Sequence, residues 1–271
     1  MVAPAEPRPR GGLVTVAVSP IWGKPEPDAY LLLKECIDRG SEQFNGQIKV
    51  FFRADDIGVP SHRFTRLLGL FAKYRMPLAL AVVPAWLTVL RWGQIKTIAD
   101  THPLLWCWHQ HGWRHVNHEP VGKKCEFGPC RKENEIYSDL KRGGERLRKI
   151  LGDRFFPVFT PPWNRCDGRT LNIIKKQGFI AVSRNPGAFP ETRGGFPDIG
   201  VQVDLHTRKG RGSTDRRLLF DEIAHGLASG ACGFMIHHRR MNRTAFAFLE
   251  ALLRALSDCR QVKPVGFETL V

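Results

Sequence analysis

Acidic residues are scarce in this chain: 26 Asp and Glu stand against 41 Lys and Arg, a formal charge of +15 over 271 residues. A field of that sign favours polyanions, whether nucleic acid, an anionic lipid surface or an acidic polysaccharide; a basic surface serving solubility explains it equally well. Long apolar runs are also missing. The longest, Met76 to Leu90, is interrupted by Pro77 and Pro84 and is too short to span a bilayer. The Pro- and Arg-rich start, Met1 to Arg10, has no apolar core, which excludes a secretory signal and leaves a cytoplasmic protein as the expectation. No His-Glu-x-x-His occurs, which argues against a zincin protease, and no Gly-rich nucleotide loop is present. Of seven cysteines only Cys125 and Cys130 lie close together, with no second pair beside them. That spacing is a weak zinc signal, so free thiols in a reducing compartment are expected.

An apolar fraction of 42% excludes a fully disordered chain. Residues 1–12 read as a disordered tail and 13–271 as a single catalytic domain. Strand-like runs fall at Leu13–Val18, Ile48–Arg53, Leu78–Val83, Leu104–Trp108, Pro157–Phe159, Phe179–Ser183, Val201–Leu205, Gly233–Ile236 and Pro264–Glu268. Helical periodicity falls at Ala29–Arg39, His62–Tyr74, Glu135–Leu151, Arg169–Gln177, Arg216–Ala228 and Arg243–Asp258, and Gly152, Gly178 and Gly230 close three of these helices. Repeated β-α units predict a parallel sheet. Polar residues collect where at least five of the strands end: Asp55-Asp56, His109 and His111, Pro161 to Asn164, Asp204 and His206, and His237-His238. Side chains from many strand ends on one face are the habit of a (β/α) barrel rather than of an open sheet.

Two segments carry chemistry. Arg53-Ala54-Asp55-Asp56-Ile57-Gly58 puts adjacent carboxylates after an apolar strand, and adjacent carboxylates repel unless a cation or a shared proton sits with them. An Asx-turn ahead of the helix near Ser61 accounts for one Asp but not readily for two. The second segment, Trp108 to Glu119, holds His109, His111, His115 and His118 among aromatic neighbours. His111 and His115, spaced i, i+4, present imidazoles to one side on a helical turn, and one carboxylate with two histidines is a common catalytic ligand set. His109 or His118 could replace either one. Bracing of a loop by hydrogen-bonded histidines is the bland alternative.

Ala54-Asp55-Asp56-Ile57-Gly58, His111-x3-His115, Phe159-Thr160-Pro161-Pro162-Trp163-Asn164 and Ile236-His237-His238 follow one another in the order typical of polysaccharide deacetylases. Over roughly residues 48–240 the chain resembles the chitin-deacetylase-like carbohydrate esterases of family four. The resemblance implies a distorted (β/α) barrel, often seven-stranded. It also implies removal of acetyl groups from N- or O-acetylated sugars with one divalent metal, zinc foremost and nickel, cobalt or manganese as alternatives. By position it makes Asp55 the catalytic base, Asp56, His111 and His115 the metal ligands, and the His237-His238 pair the source of the general acid, with His237 the more natural match. Asp204 resembles the aspartate that tunes that histidine. Pro162, Trp163 and Asn164 resemble a segment that lines the site and donates a backbone N–H to the oxyanion. Trp163 and Trp113 are the candidate sugar platforms, whereas Trp86, Trp92, Trp106 and Trp108 read as core. Thr160 departs from the family's arginine, which orients the base; Arg165 or Arg53 could replace it.

A metal-dependent deacetylase of an acetylated sugar, glycan or lipid- or nucleotide-linked precursor accounts for these motifs together. The alternatives are a catalytically weakened glycan-binding relative, suggested by Thr160, and a metal-dependent phosphoesterase acting on nucleic acid. The latter would usually need more carboxylates for a second metal. The insertion Gly122 to Arg131 is expected to form a lid or rim.

Overall fold

The structure, a computed structural model, describes residues 17–210 and 213–271. The tail expected at 1–12 and most of the strand expected at Leu13–Val18 lie outside the described residues; Ala17 and Val18 are not strand. The elements alternate along the chain as α1 (Ala29–Ser41), β1 (Ile48–Ile57), α2 (His62–Lys73), β2 (Leu78–Val82), α3 (Val89–Ala99), β3 (Trp106–His111), α4 (Glu133–Leu151) and β4 (Phe155–Thr160). They continue with α5 (Gly168–Lys176), β5 (Ala181–Arg184), β6 (Asp198–Gly200), β7 (Val203–Asp204), α6 (Ser213–Ala228), β8 (Ala231–Ile236), α7 (Arg243–Asp258) and β9 (Val262–Pro264). Side-chain caps start several helices: Ser61, Thr88, Asp167 and Asn242 each accept the amide of the residue three positions on.

All the strands pair in parallel, in the order β6-β5-β4-β3-β2-β1-β8-β7, with β9 beside the start of β1. β6 and β7 are the two edges of the sheet, yet only Val201 and Gln202 separate them. Residues 198–204 therefore act as one bent stave, its first half paired with β5 and its second with β8. The result is a distorted barrel of seven staves, closed through the chain rather than by a hydrogen-bonded ladder. The expected barrel is present, with the expected strand at Val201–Leu205 reduced to the short β7.

Strand alternation sorts the side chains. On β1, Val50, Phe52 and Ala54 pack outward against the helices, while Phe51 joins an inner cluster with Ala79, Cys107, Val158, Ala181 and Met235. Phe267, from the turn after β9, packs into the same inner cluster and touches Phe51 and His109 at ring-centroid distances of 5.9 and 5.0 Å. Above this apolar floor the inward positions turn polar, which creates the site. Helix α3 has no counterpart among the expected helices. It buries Trp92, Ile95 and Ala99 but leaves Val89 and Leu90 about three-quarters exposed, at 75% and 76%, so its apolar residues do not trace one face. No described helix is long and apolar enough to cross a membrane, and the seven cysteines are unpaired.

Candidate active site

Phe51, Arg53 and Asp55 alternate along the inner face of β1, so the polar end of the strand delivers an ion pair into the barrel mouth. Arg53 is wholly buried and Asp55 is 3% exposed. The guanidinium grips both carboxylate oxygens, Nε to Oδ1 at 2.8 Å and Nη2 to Oδ2 at 2.9 Å. Its remaining donors reach Ser183 Oγ (2.8 Å), the Ser183 carbonyl (3.1 Å), Asn164 Oδ1 (2.7 Å) and the Met235 sulfur (3.1 Å). A planar fork with this many fixed partners cannot turn away from Asp55. Burial alone would raise the Asp55 carboxyl, but the Arg53 charge and hydrogen bonds together with the nearby His111 and His237 outweigh it and hold the group below the usual carboxylate range. Between the two arginines left open by the sequence, Arg53 is the one that meets Asp55; Arg165 donates outward to the Lys124 carbonyl at 3.2 Å. Thr160 takes another partner, His109 Nε2, at 2.9 Å.

Asp56 follows directly and in a regular strand would point to the opposite side. A break in register between Ala54 and Ile57, with Asp56 at φ 64°, turns its carboxylate into the same mouth. Two histidines meet it there. His111 ends β3, and its Nδ1 lies 3.0 Å from the Thr160 carbonyl; a carbonyl only accepts, so Nδ1 carries the proton and Nε2 is left free. His115 comes from the following loop at φ 60°, not from a helical turn as its spacing suggests. Its Nε2 lies 3.3 Å from Asp56 Oδ1, and that of His111 lies 3.7 Å away. Neither approach has hydrogen-bond geometry, so Oδ1 is a buried carboxylate oxygen without a hydrogen-bond partner. One ligand atom from each of the three side chains lies within 4.8 Å of the other two, the single such cluster among the described residues. Burial pushes His115 down to about 4, so it stays neutral, as ligation requires. An orphaned carboxylate oxygen facing two imidazole nitrogens fits a divalent cation of borderline softness. His109 is engaged by Thr160, and His118 is exposed on the loop beyond; neither belongs to the cluster.

The other expected site residues divide. Met235 faces the interior, and by alternation His237 continues that face while His238 turns the other way, buried against Phe64 at a ring-centroid distance of 5.5 Å. Burial pushes His238 down to about 4. Asp204 does not reach either histidine: its Oδ1 accepts the amides of His206 and Thr207, both at 2.9 Å, and Oδ2 accepts the Thr207 hydroxyl. The group beside His237 is His206, whose Nδ1 accepts the His237 amide at 3.3 Å.

Trp163 and Asn164 both adopt left-handed backbone, at φ 56° and 59°, and the Trp163 ring packs on His115 at 4.5 Å. Asn164, expected to line the substrate, instead accepts from Arg53. Pro162 is buried against Gly112, where a Cβ would stand 2.6 Å from its Cγ, so it shapes the loop rather than meeting a sugar. Trp113 is likewise corrected: 8% exposed, it belongs to a core cluster with Phe127, Ile136 and Leu140. Trp86, read as core, is half-buried beside His115 (5.9 Å) with the Arg239 guanidinium over its ring (5.3 Å). Nothing in the composition distinguishes these two tryptophans; only the loop paths do.

No protein-family profile and no curated protein matches the chain. Solved structures do. A protein of Mycobacterium smegmatis assigned as a polysaccharide deacetylase is similar with a TM-score of 0.61 at 16% identity, over 83% of this chain and 89% of that one. A family 4 acetyl xylan esterase from Clostridium thermocellum, solved with a cobalt ion, gives 0.52 at 13% identity, over 82% and 89%. A mutant of a CE4-family pseudoenzyme with restored activity gives 0.51 at 12% identity, over 83% and 67%. The chain has the (β/α) barrel fold of the polysaccharide deacetylases.

Proposed function

We propose that this protein is a divalent-metal-dependent hydrolase that removes acetyl groups from an N- or O-acetylated sugar or glycan precursor. The observation that carries the reading is the junction of two units at one barrel mouth: the Arg53–Asp55 ion pair and the Asp56, His111, His115 cluster. Such a pairing gives a base and a Lewis-acid site side by side, as hydrolysis of an unactivated acyl bond requires. A divalent ion, zinc foremost, held by Asp56, His111 and His115 would polarise the acetyl carbonyl and acidify the attacking water.

The chain's own groups do the rest. Asp55 accepts the proton of the attacking water, and Arg53 keeps its carboxylate ionised and oriented. The backbone N–H at Trp163 donates to the developing oxyanion, a contact worth about 3 kcal/mol in comparable sites. His237, on the inner face, protonates the departing amine or alkoxide. Trp163 and Trp86 flank His115 and supply aromatic surface for the sugar ring. Arg53 weighs against the weakened-relative reading, because the base retains a guanidinium partner despite Thr160. The single three-ligand cluster among the described residues weighs against a two-metal phosphoesterase.

The test is acetate release from a panel of acetylated sugars, before and after chelation and with metal restored. Asp56→Ala and His111→Ala should lose both metal and activity. Asp55→Asn should lose at least about a hundredfold in rate, the scale of general-base catalysis, while still binding metal. Acetate release indifferent to all three substitutions and to chelation would overturn the proposal.

A further inference from the structure

Within the long connection from β3 to α4, the insertion Gly122 to Arg131, expected to form a lid or rim, turns one carboxylate into the protein. Glu126 is 1% exposed. Its Oε1 accepts the amides of Arg114 (2.7 Å) and His115 (3.0 Å), and its Oε2 accepts that of Trp113 (3.2 Å). Three consecutive N–H groups converging on one carboxylate form an anion-binding nest, here filled from within the same loop. The fit is close: a Cβ on Gly112 would stand 2.2 Å from Glu126 Oε2, and Gly112 itself lies at φ 58°.

The segment bearing Glu126 is anchored on both sides. Phe127 is wholly buried, and its carbonyl accepts from Asp167 N (3.0 Å) and Thr170 Oγ1 (3.1 Å). Cys125 N donates to Asn117 Oδ1 at 2.8 Å. A buried carboxylate costs several kcal/mol in desolvation and is retained where its hydrogen bonds define a conformation. The conformation defined here is the one that swings His115, at left-handed φ, back toward Asp56 and His111.

We propose that Glu126 is a positioning residue for the candidate metal centre: it holds the Trp113–His115 amides so that the third ligand is pre-set, and its negative charge favours a dication nearby. This rests on the reading of Asp56, His111 and His115 as metal ligands. The β3–α4 insertion is then part of the metal site's scaffold, and its integrity sets metal affinity.

The experiment uses the full chain, stripped with a chelator and titrated with Co2+, followed by visible d–d absorption and by calorimetry. Wild type should bind one Co2+ with a defined d–d absorption band. Glu126→Gln, which keeps the shape but opposes an N–H₂ to the amides, should bind about 10–100-fold more weakly, the usual cost of losing an outer-shell partner, with altered band intensity. Glu126→Asp keeps the charge but cannot span all three amides and should fall between the two; it serves as the test if the Gln variant does not fold. Glu119→Gln, in the same β3–α4 connection but with its side chain bonded to Cys130 N (3.3 Å) rather than to the Trp113–His115 amides, should match wild type. Wild-type affinity and spectrum in a folded Glu126 variant would overturn the proposal. Failure of wild type itself to bind Co2+ would instead remove the metal reading on which it rests.

Discussion

Burying a guanidinium costs several kcal/mol, and at Arg53 the cost is offset only because Asp55, Ser183, Asn164 and Met235 together satisfy its donors. Removing one partner of such a pair is the damaging change. Arg53→Met should destabilise the fold by about 3–5 kcal/mol, since it leaves the Asp55 carboxylate buried and unpaired. The sign for catalysis follows from the same pair: without the guanidinium the Asp55 carboxyl rises, so the acid limb of the rate profile should move to higher pH. Adding Thr160→Arg to an Arg53→Thr variant returns a guanidinium at the end of β4 and should recover part of the lost rate. No recovery in a folded double variant, or an unmoved acid limb in Arg53→Met, would show that Arg53 does not act through Asp55.

At the scale of elements, the site is made by departures from regular structure. β1 breaks register at its end, so consecutive aspartates serve one mouth, and Gly112, His115, Trp163 and Asn164 hold left-handed backbone around it. Non-glycine residues in that region are strained by roughly 1 kcal/mol or more each, and such strain collects at functional sites. The same loop paths separate tryptophans that look alike in the sequence. Trp163→Ala and Trp86→Ala should raise KM severalfold with less effect on kcat, because those rings border the site. Trp113→Ala should instead cost about 3–5 kcal/mol of stability through the core cavity it leaves. Denaturant titrations beside steady-state kinetics separate the two effects, and an unchanged KM in both rim variants would remove them from the proposed sugar site.

For the whole molecule, buried histidines couple folding to acid. His206 is held well below its ordinary value by burial and by the charges of His237, His238 and Arg240, and burial brings His238 to about 4. The unfolded chain takes up these protons near pH 6.5, while the native state refuses them until lower pH, so stability falls as pH drops from about 6.5 toward 4. His238 alone should cost about 2 kcal/mol by pH 5. The urea midpoint of the metal-free protein should therefore be lower at pH 5 than at pH 7.5, and His206→Gln should flatten the slope. Equal midpoints at the two pH values would contradict the burial argument. The barrel itself was legible from local quantities: apolar runs, helical periods and closing glycines set the order of elements, and the polar strand ends marked the mouth. Asp55, Asp56, His111 and His115 could be named because their types and order are properties of the chain. Three-dimensional packing alone selected Arg53 over Arg165, brought His206 rather than Asp204 against His237, moved Trp113 into the core and Trp86 beside His115, and set Glu126 under the Trp113–His115 loop. Those choices depend on distances between residues far apart in sequence and on single left-handed φ angles, and neither periodicity nor composition encodes them.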